Sequence, residues 1–185
     1  MDMEYVKKAI LLKNGKTCVI RQAEETDAER MIEYLSVTAK ETPFLGREPE
    51  DVPFTMEQER DIIQKMNAAE RDMMLLAEVD GVHAGNANLG CVRDRSRFRH
   101  RCTMGVGLYR AFWSMGIGTA LLGELLAAAK SAGYEQAELE VISTNEAAIG
   151  LYKKFGFEVT GTHPHAMRYR DGTYGDFLFM VKRLS

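Results

Sequence analysis

The chain has 185 residues, with 24 Lys+Arg against 27 Asp+Glu, a formal net charge of −3, and 45% hydrophobic content. That suffices for one domain, 1–185, with its own core and no metal or disulfide staple. The slightly acidic balance argues against a nucleic-acid binder, whose affinity rests on neutralising phosphates, and no apolar run approaches the roughly 20 residues that cross a bilayer.

The N-terminus, M-D-M-E-Y-V-K-K-A-I-L-L-K, carries early acids and only a short apolar run, so it lacks the h-region of an export signal. Cys18, Cys91 and Cys102 are odd in number and without C-x-x-C spacing, which suits reduced thiols in the cytoplasm. Thr17 to Arg21, T-C-V-I-R, reads as the first strand. Thr26 or Asp27 then caps a helix carrying Met31, Tyr34, Leu35 and Thr38, and Thr55 with Gln58 forms a capping box for a second helix reaching Met66. The segment between them, Thr42 to Phe54, holds three prolines, and irregular segments of that length are frequently functional. Its acids, Glu41, Glu48, Glu50 and Asp51, suit either attraction of a cationic amine or a solvated loop.

Met73 to Val79 is a strand, Asp80-Gly81 a hairpin turn, and Val82 to Val92 its partner. The run R-D-R-S-R-F-R-H-R, Arg93 to Arg101, reads as a solvated turn, with polyanion binding as the alternative, before a strand over Cys102 to Leu108. From Gly116 the apolar period changes to about 3.6: Ile117, Leu121 and Leu125 form one row, Leu122, Leu126 and Ala129 the next. This helix ends at Ala132-Gly133. Ala137, Leu139 and Val141 then alternate with Glu138 and Glu140 as a strand, which implies a parallel crossover. Asn145 caps a further helix closed by Gly156, and strands follow near Phe157 to Thr162 and Phe177 to Val181.

Gly116 and Gly118 stand between a strand and a helix N-terminus, where unpaired N–H groups and the helix dipole attract an anion. No Walker A run is present. A G-x-G-x-x-G dinucleotide fingerprint starts at Gly116 and Gly118 but meets Leu121 at its third glycine, although Glu138 and Glu140 lie at a fitting distance downstream. A tight turn holding no ligand is the third reading.

The run Leu139 to Phe157, L-E-V-I-S-T-N-E-A-A-I-G-L-Y-K-K-F-G-F, follows one crossover later. Together the two segments resemble the GNAT family of acetyl-CoA-dependent N-acetyltransferases, whose signature joins a [Q/R]-x-x-G-x-[G/A] turn to N-x-x-A-I-x-L-Y-x-x-x-G-F. The resemblance is specific from Val106 to Phe157. It implies an α/β fold with one mixed, mostly antiparallel sheet, a splayed parallel strand pair and helices on both faces. It also implies acetyl-CoA as co-substrate, held by Val106, Leu108, Trp113, Ser114, Met115, Gly116, Ile117, Gly118, Thr119, Asn145, Ala148 and Tyr152. One departure stands out: the family's Gln or Arg is Trp113 here, and Arg110 is the nearby candidate for the missing charge.

The implied reaction is direct attack by a primary amine, small molecule or protein N-terminus, in a ternary complex. In it Tyr152 protonates the departing sulfur. Glu140 takes the base position seen in ribosomal-protein alanine acetyltransferases, because the strand C-T-M-G-V-G-L lacks a glutamate; two solvated carboxylates at Glu138 and Glu140 are the alternative. Proton removal through waters is also compatible with the family. His163 and His165 read as loop residues or as part of the acceptor mouth, with no metal required. Tyr169, Asp171, Tyr174 and Asp176 resemble a terminal hairpin walling the acceptor site. The chain is expected to act as a monomer or homodimer, with a non-catalytic acyl-CoA sensor and a dinucleotide-binding protein as competing readings.

Overall fold

A computed structural model describes residues 5–51 and 55–184. The strands are β1 (Lys8–Leu11), β2 (Thr17–Gln22), β3 (Met73–Val79), β4 (Val82–Cys91), β5 (Arg101–Leu108), β6 (Gln136–Ile142), β7 (Glu158–Arg168) and β8 (Tyr174–Arg183). The α-helices are α1 (Ala28–Glu41), α2 (Met56–Ala68), α3 (Ile117–Ser131) and α4 (Glu146–Lys154). All strands join one sheet in the order β1-β2-β3-β4-β5-β6-β8-β7, antiparallel throughout except for the β5–β6 pair. The mixed α/β architecture is therefore the one expected.

Alternation along the strands sends side chains to two separate cores. Leu75 and Ala77 of β3 face α3, where Ile117, Leu121, Leu122 and Leu125 are fully buried. Leu76, one residue out of phase, faces Met31 of α1 and Ile63 of α2. Apolar 3.6-residue rows thus cover both sides of the sheet, as the sequence periodicity requires. The capping box at Thr55 and Gln58 is formed, although the segment before it, Val52 to Phe54, lies outside the described residues, as does Met1 to Glu4.

Three expectations are corrected. Thr17–Gln22 is the second strand, because Lys8–Leu11 pairs antiparallel with it as an edge. The last two strands are longer than expected, because they pair along their length as a hairpin turning at Tyr169 to Thr173. His163 and His165 consequently lie within β7 and not in a loop; their rings stack on Phe179 and Tyr174. Among the described residues no group of three or more metal-ligating side chains forms, and no helix is long and apolar enough to cross a membrane.

Candidate active site

The parallel pairing of β5 with β6 is brief. It covers only Arg101–Thr103 against Gln136–Glu138, after which β5 stays with β4 to Leu108 and β6 runs on beside β8 to Ile142. Backbone direction alternates along β5. Tyr109 N–H donates to Ala84 on the β4 side, whereas the His100 carbonyl accepts from Glu135 and Gln136 on the β6 side. Val106 and Leu108 therefore turn their peptide groups into the gap that β6 has vacated. A ligand whose amides mimic a strand can pair there.

One of these groups is engaged. The indole N–H of Trp113 donates to the Leu108 carbonyl at 3.1 Å, and the Arg110 guanidinium lies 5.8 Å from the indole ring centre. Trp113 is thus folded back onto the strand end with its single donor committed.

The turn itself has the shape of an anion cradle. Ser114 and Gly116 both have positive φ, at 62° and 91°, and turn the chain sharply into α3. Gly116 caps α3 without a side chain, and the first α3 backbone bond runs from Ala120 to Gly116. The N–H groups of Ile117, Gly118 and Thr119 accordingly have no intrahelical acceptor. A methyl added to Gly118 would stand 3.5 Å from Leu151 of α4 and 3.8 Å from Leu108 of β5, so three elements converge on the mouth of the gap.

The far wall is α4. Asn145 uses its side-chain oxygen as an N-cap to Ala148 N–H at 3.2 Å, leaving its amide N–H₂ available. Asn145, Ala148 and Tyr152 share one helix face. Tyr152 is buried and packs edge-on against Phe157, and its hydroxyl has no protein partner among the described residues yet is not sealed from solvent. Burial pushes its phenol pKa up, so it holds its proton well beyond neutrality.

On the opposite face of the sheet, the same splay opens a cavity of about 700 Å³ that includes Asn88, Thr103, Gly105, Glu138 and Glu140 in its lining. Its two glutamates differ. Glu138 is clamped by the Arg101 guanidinium and Gln136, and the Arg101 bond holds its carboxyl below the usual range. Glu140 is exposed and has no partner among the described residues.

Tyr34, read from the sequence only as a helix-face residue, is buried against Tyr109 and His83, at 5.2 and 5.3 Å between ring centres. A Cβ on Gly107 would come within 2.2 Å of its hydroxyl, so the bare backbone at Gly107 is what admits this ring beside the splay.

A second cavity, about 710 Å³, separates the α1 C-terminus and following loop from the β7–β8 hairpin. Here the acids already have partners. Arg170 binds Glu48 at 2.8 Å and also Glu50, Glu41 accepts from Arg110 N–H, and Asp51 accepts from Glu48 N–H. Two arginines of the basic run are engaged: Arg99 pairs with Asp94, and Arg101 with Glu138.

Comparison with known proteins agrees with this geometry. Residues 40–157 match the model of the acetyltransferase (GNAT) family. The chain is 31% identical over 110 residues to the L-amino acid N-acetyltransferase AaaT of Escherichia coli K12, which covers 58% of this chain and 66% of AaaT, just under two thirds of its length. It is 29% identical over 170 residues to an N-alpha-acetyltransferase of Sulfurisphaera tokodaii, covering 86% of this chain and 90% of that one. The crystal structure of a GNAT-family acetyltransferase from Streptococcus pneumoniae superposes with a TM-score of 0.85 at 28% identity, over 90% of this chain and 99% of that one.

Proposed function

Because the chain belongs to the GNAT acetyltransferase family, we propose that it is an N-acetyltransferase that moves the acetyl group of acetyl-CoA to a primary amine by direct attack in a ternary complex. The observation that carries this reading is the parting of β5 from β6 after Thr103, with the α3 N-terminus on one flank of the gap and Asn145 on the other. Acetyl-CoA supplies an activated acyl carbon, a strand-like arm and a pyrophosphate.

The amides of Met115 to Thr119 receive the pyrophosphate, and the peptide groups of Val106 with the N–H of Leu108 pair with the arm or polarise the thioester carbonyl. Ser114 shapes the cradle through its left-handed backbone, and Trp113 holds the strand end to it through Leu108. Asn145 and Ala148 line the other side. The amine lone pair forms the new C–N bond as Glu140, directly or through water, takes the ammonium proton; the C–S bond then breaks and Tyr152 gives its proton to the sulfur.

The acceptor is proposed to be an α-amine. The two named relatives support this, one by acting on L-amino acids and the other by its N-alpha designation. The whole chain is taken to act as one domain in the cytoplasm, in keeping with its three free cysteines.

Free coenzyme A release, measured with a panel of amines, tests the assignment. Tyr152→Phe is expected to lower kcat by about 10² or more. With Tyr152 held protonated by burial, the wild-type rate should show no loss of this acid until the pH passes the ordinary phenol value of about 10. Equal rates for the two proteins would remove Tyr152 from the mechanism, and a chain whose melting temperature rises with acetyl-CoA yet never turns over would be a sensor instead.

A further inference from the structure

Three cations lining the cavity beside α1, Lys40, Arg47 and Arg168, form no ion pair among the described residues, and of these it is the Arg47 guanidinium that hydrogen bonds hold in place. Arg47 is half-buried, and its guanidinium is fixed by two hydrogen bonds, Nε to the Leu35 carbonyl at 3.2 Å and Nη2 to the buried Thr38 hydroxyl at 2.8 Å. Thr38 is itself tied to the Tyr34 carbonyl at 2.6 Å, and the guanidinium sits 5.9 Å from the Tyr34 ring centre. Of the five N–H donors in a guanidinium, two are used here. Among the described residues Arg47 forms no ion pair, whereas Arg170 across the same cavity has two. A partly desolvated cation is costly unless paired, and the protein supplies it with hydroxyl and carbonyl oxygens but no carboxylate.

Position adds to this. Tyr34 links Arg47 on one side to Gly107 on the other, and Gly107 immediately precedes the peptide group of Leu108 that faces the splay. A carboxylate held by Arg47 would leave the rest of an acceptor free to reach toward the strand gap. We propose that Arg47 binds the α-carboxylate of the acceptor, which makes the preferred substrate a free amino acid and not a protein N-terminus, whose α-carbon carries an amide instead. This assignment rests on the acetyltransferase reading and selects between the acceptors that reading leaves open.

The test compares kcat/KM for L-amino acids and their matching amides, at saturating acetyl-CoA, in wild type, Arg47→Gln and Arg47→Lys. Wild type is expected to favour the free acid over its amide by about tenfold or more, the range for a hydrogen-bonded charge. Arg47→Gln should erase that preference by raising KM for the acid, while leaving the amide rate and the thermal shift with acetyl-CoA nearly unchanged. Arg47→Lys should restore part of it. An amide used as well as its acid by wild type would overturn the proposal. So would an Arg47→Gln variant that loses acid and amide alike, since that is the result of merely pinning the loop. Turnover of amides or peptides with no turnover of any free acid defeats only the Arg47 assignment, whereas no coenzyme A release with any amine defeats the acetyltransferase reading as well.

Discussion

Two glycines two positions apart do different jobs, and the difference can be measured. Gly116 has open space around its absent side chain, but its φ of 91° excludes an ordinary L-residue, so Gly116→Ala is expected to destabilise the fold by about 1 kcal/mol. Gly118 has an ordinary helical backbone, and a methyl there would make normal contacts with Leu151 and Leu108. Nothing in the protein forbids alanine, which is the better helix former. The family turn itself admits either glycine or alanine at this position. Gly118→Ala should therefore melt no lower than wild type and keep its affinity for acetyl-CoA within about threefold, by calorimetry on the two proteins. A variant that loses stability and keeps its affinity would assign Gly118 to packing. Both glycines and Asn145 were legible because their meaning is local to a turn or cap. The commitment of the Trp113 N–H was not, since it depends on the short 3-10 turn Arg110–Phe112 carrying Trp113 back beside Leu108, which its residue types do not announce.

Elements are joined by a clamp that the sequence hinted at only as a helix cap. Asp27, one of the two expected caps, is the N-cap residue of α1, but its side chain makes no cap bond there: it accepts from Arg21 Nη1 and Nη2 at 2.7 and 2.8 Å and from the Glu24 N–H, while Glu78 of β3 binds Arg21 and Arg30. This fastens the start of α1 to β2 and β3, under the helix that carries Tyr34. Burial alone would push the Asp27 carboxyl up, but Arg21, Glu24 N–H and Arg30 together hold it below its ordinary range. A carboxylate lowered in this way stabilises the fold above its unfolded pKa of about 4 and loses that contribution as pH falls through the folded value. Asp27→Ala leaves Arg21 with Glu78 as its remaining carboxylate and the Glu24 N–H without its acceptor, and should cost about 2 kcal/mol at pH 7 in urea denaturation. Near pH 2 the gap from wild type should shrink. A gap independent of pH would show that packing and not charge is lost. Buried, strongly periodic elements such as β3 and α3 could be read directly. By contrast β7 is exposed along most of its length, so it shows no apolar alternation and its extent is set by pairing with β8.

At the scale of the whole molecule, the cavity beside α1 exists only because distant parts of the chain meet across it. Arg170 in the β7–β8 hairpin reaches Glu48, 122 positions away, and Glu50 in the loop after α1. No local pattern could pair them, which is why these acids read in sequence as either solvated or waiting for a cationic ligand. Exposed ion pairs of this kind add little to stability, because water and salt compete for both partners. Their effect here is on geometry, since they join the loop carrying Arg47 to the hairpin forming the opposite wall. Arg170→Ala should therefore leave the melting temperature and the KM for acetyl-CoA unchanged but raise the KM for the amine, and raising ionic strength should move wild type toward the variant. If acceptor KM is insensitive to both the substitution and salt, the two walls are held by backbone packing alone, and the cavity is the same shape with the latch open.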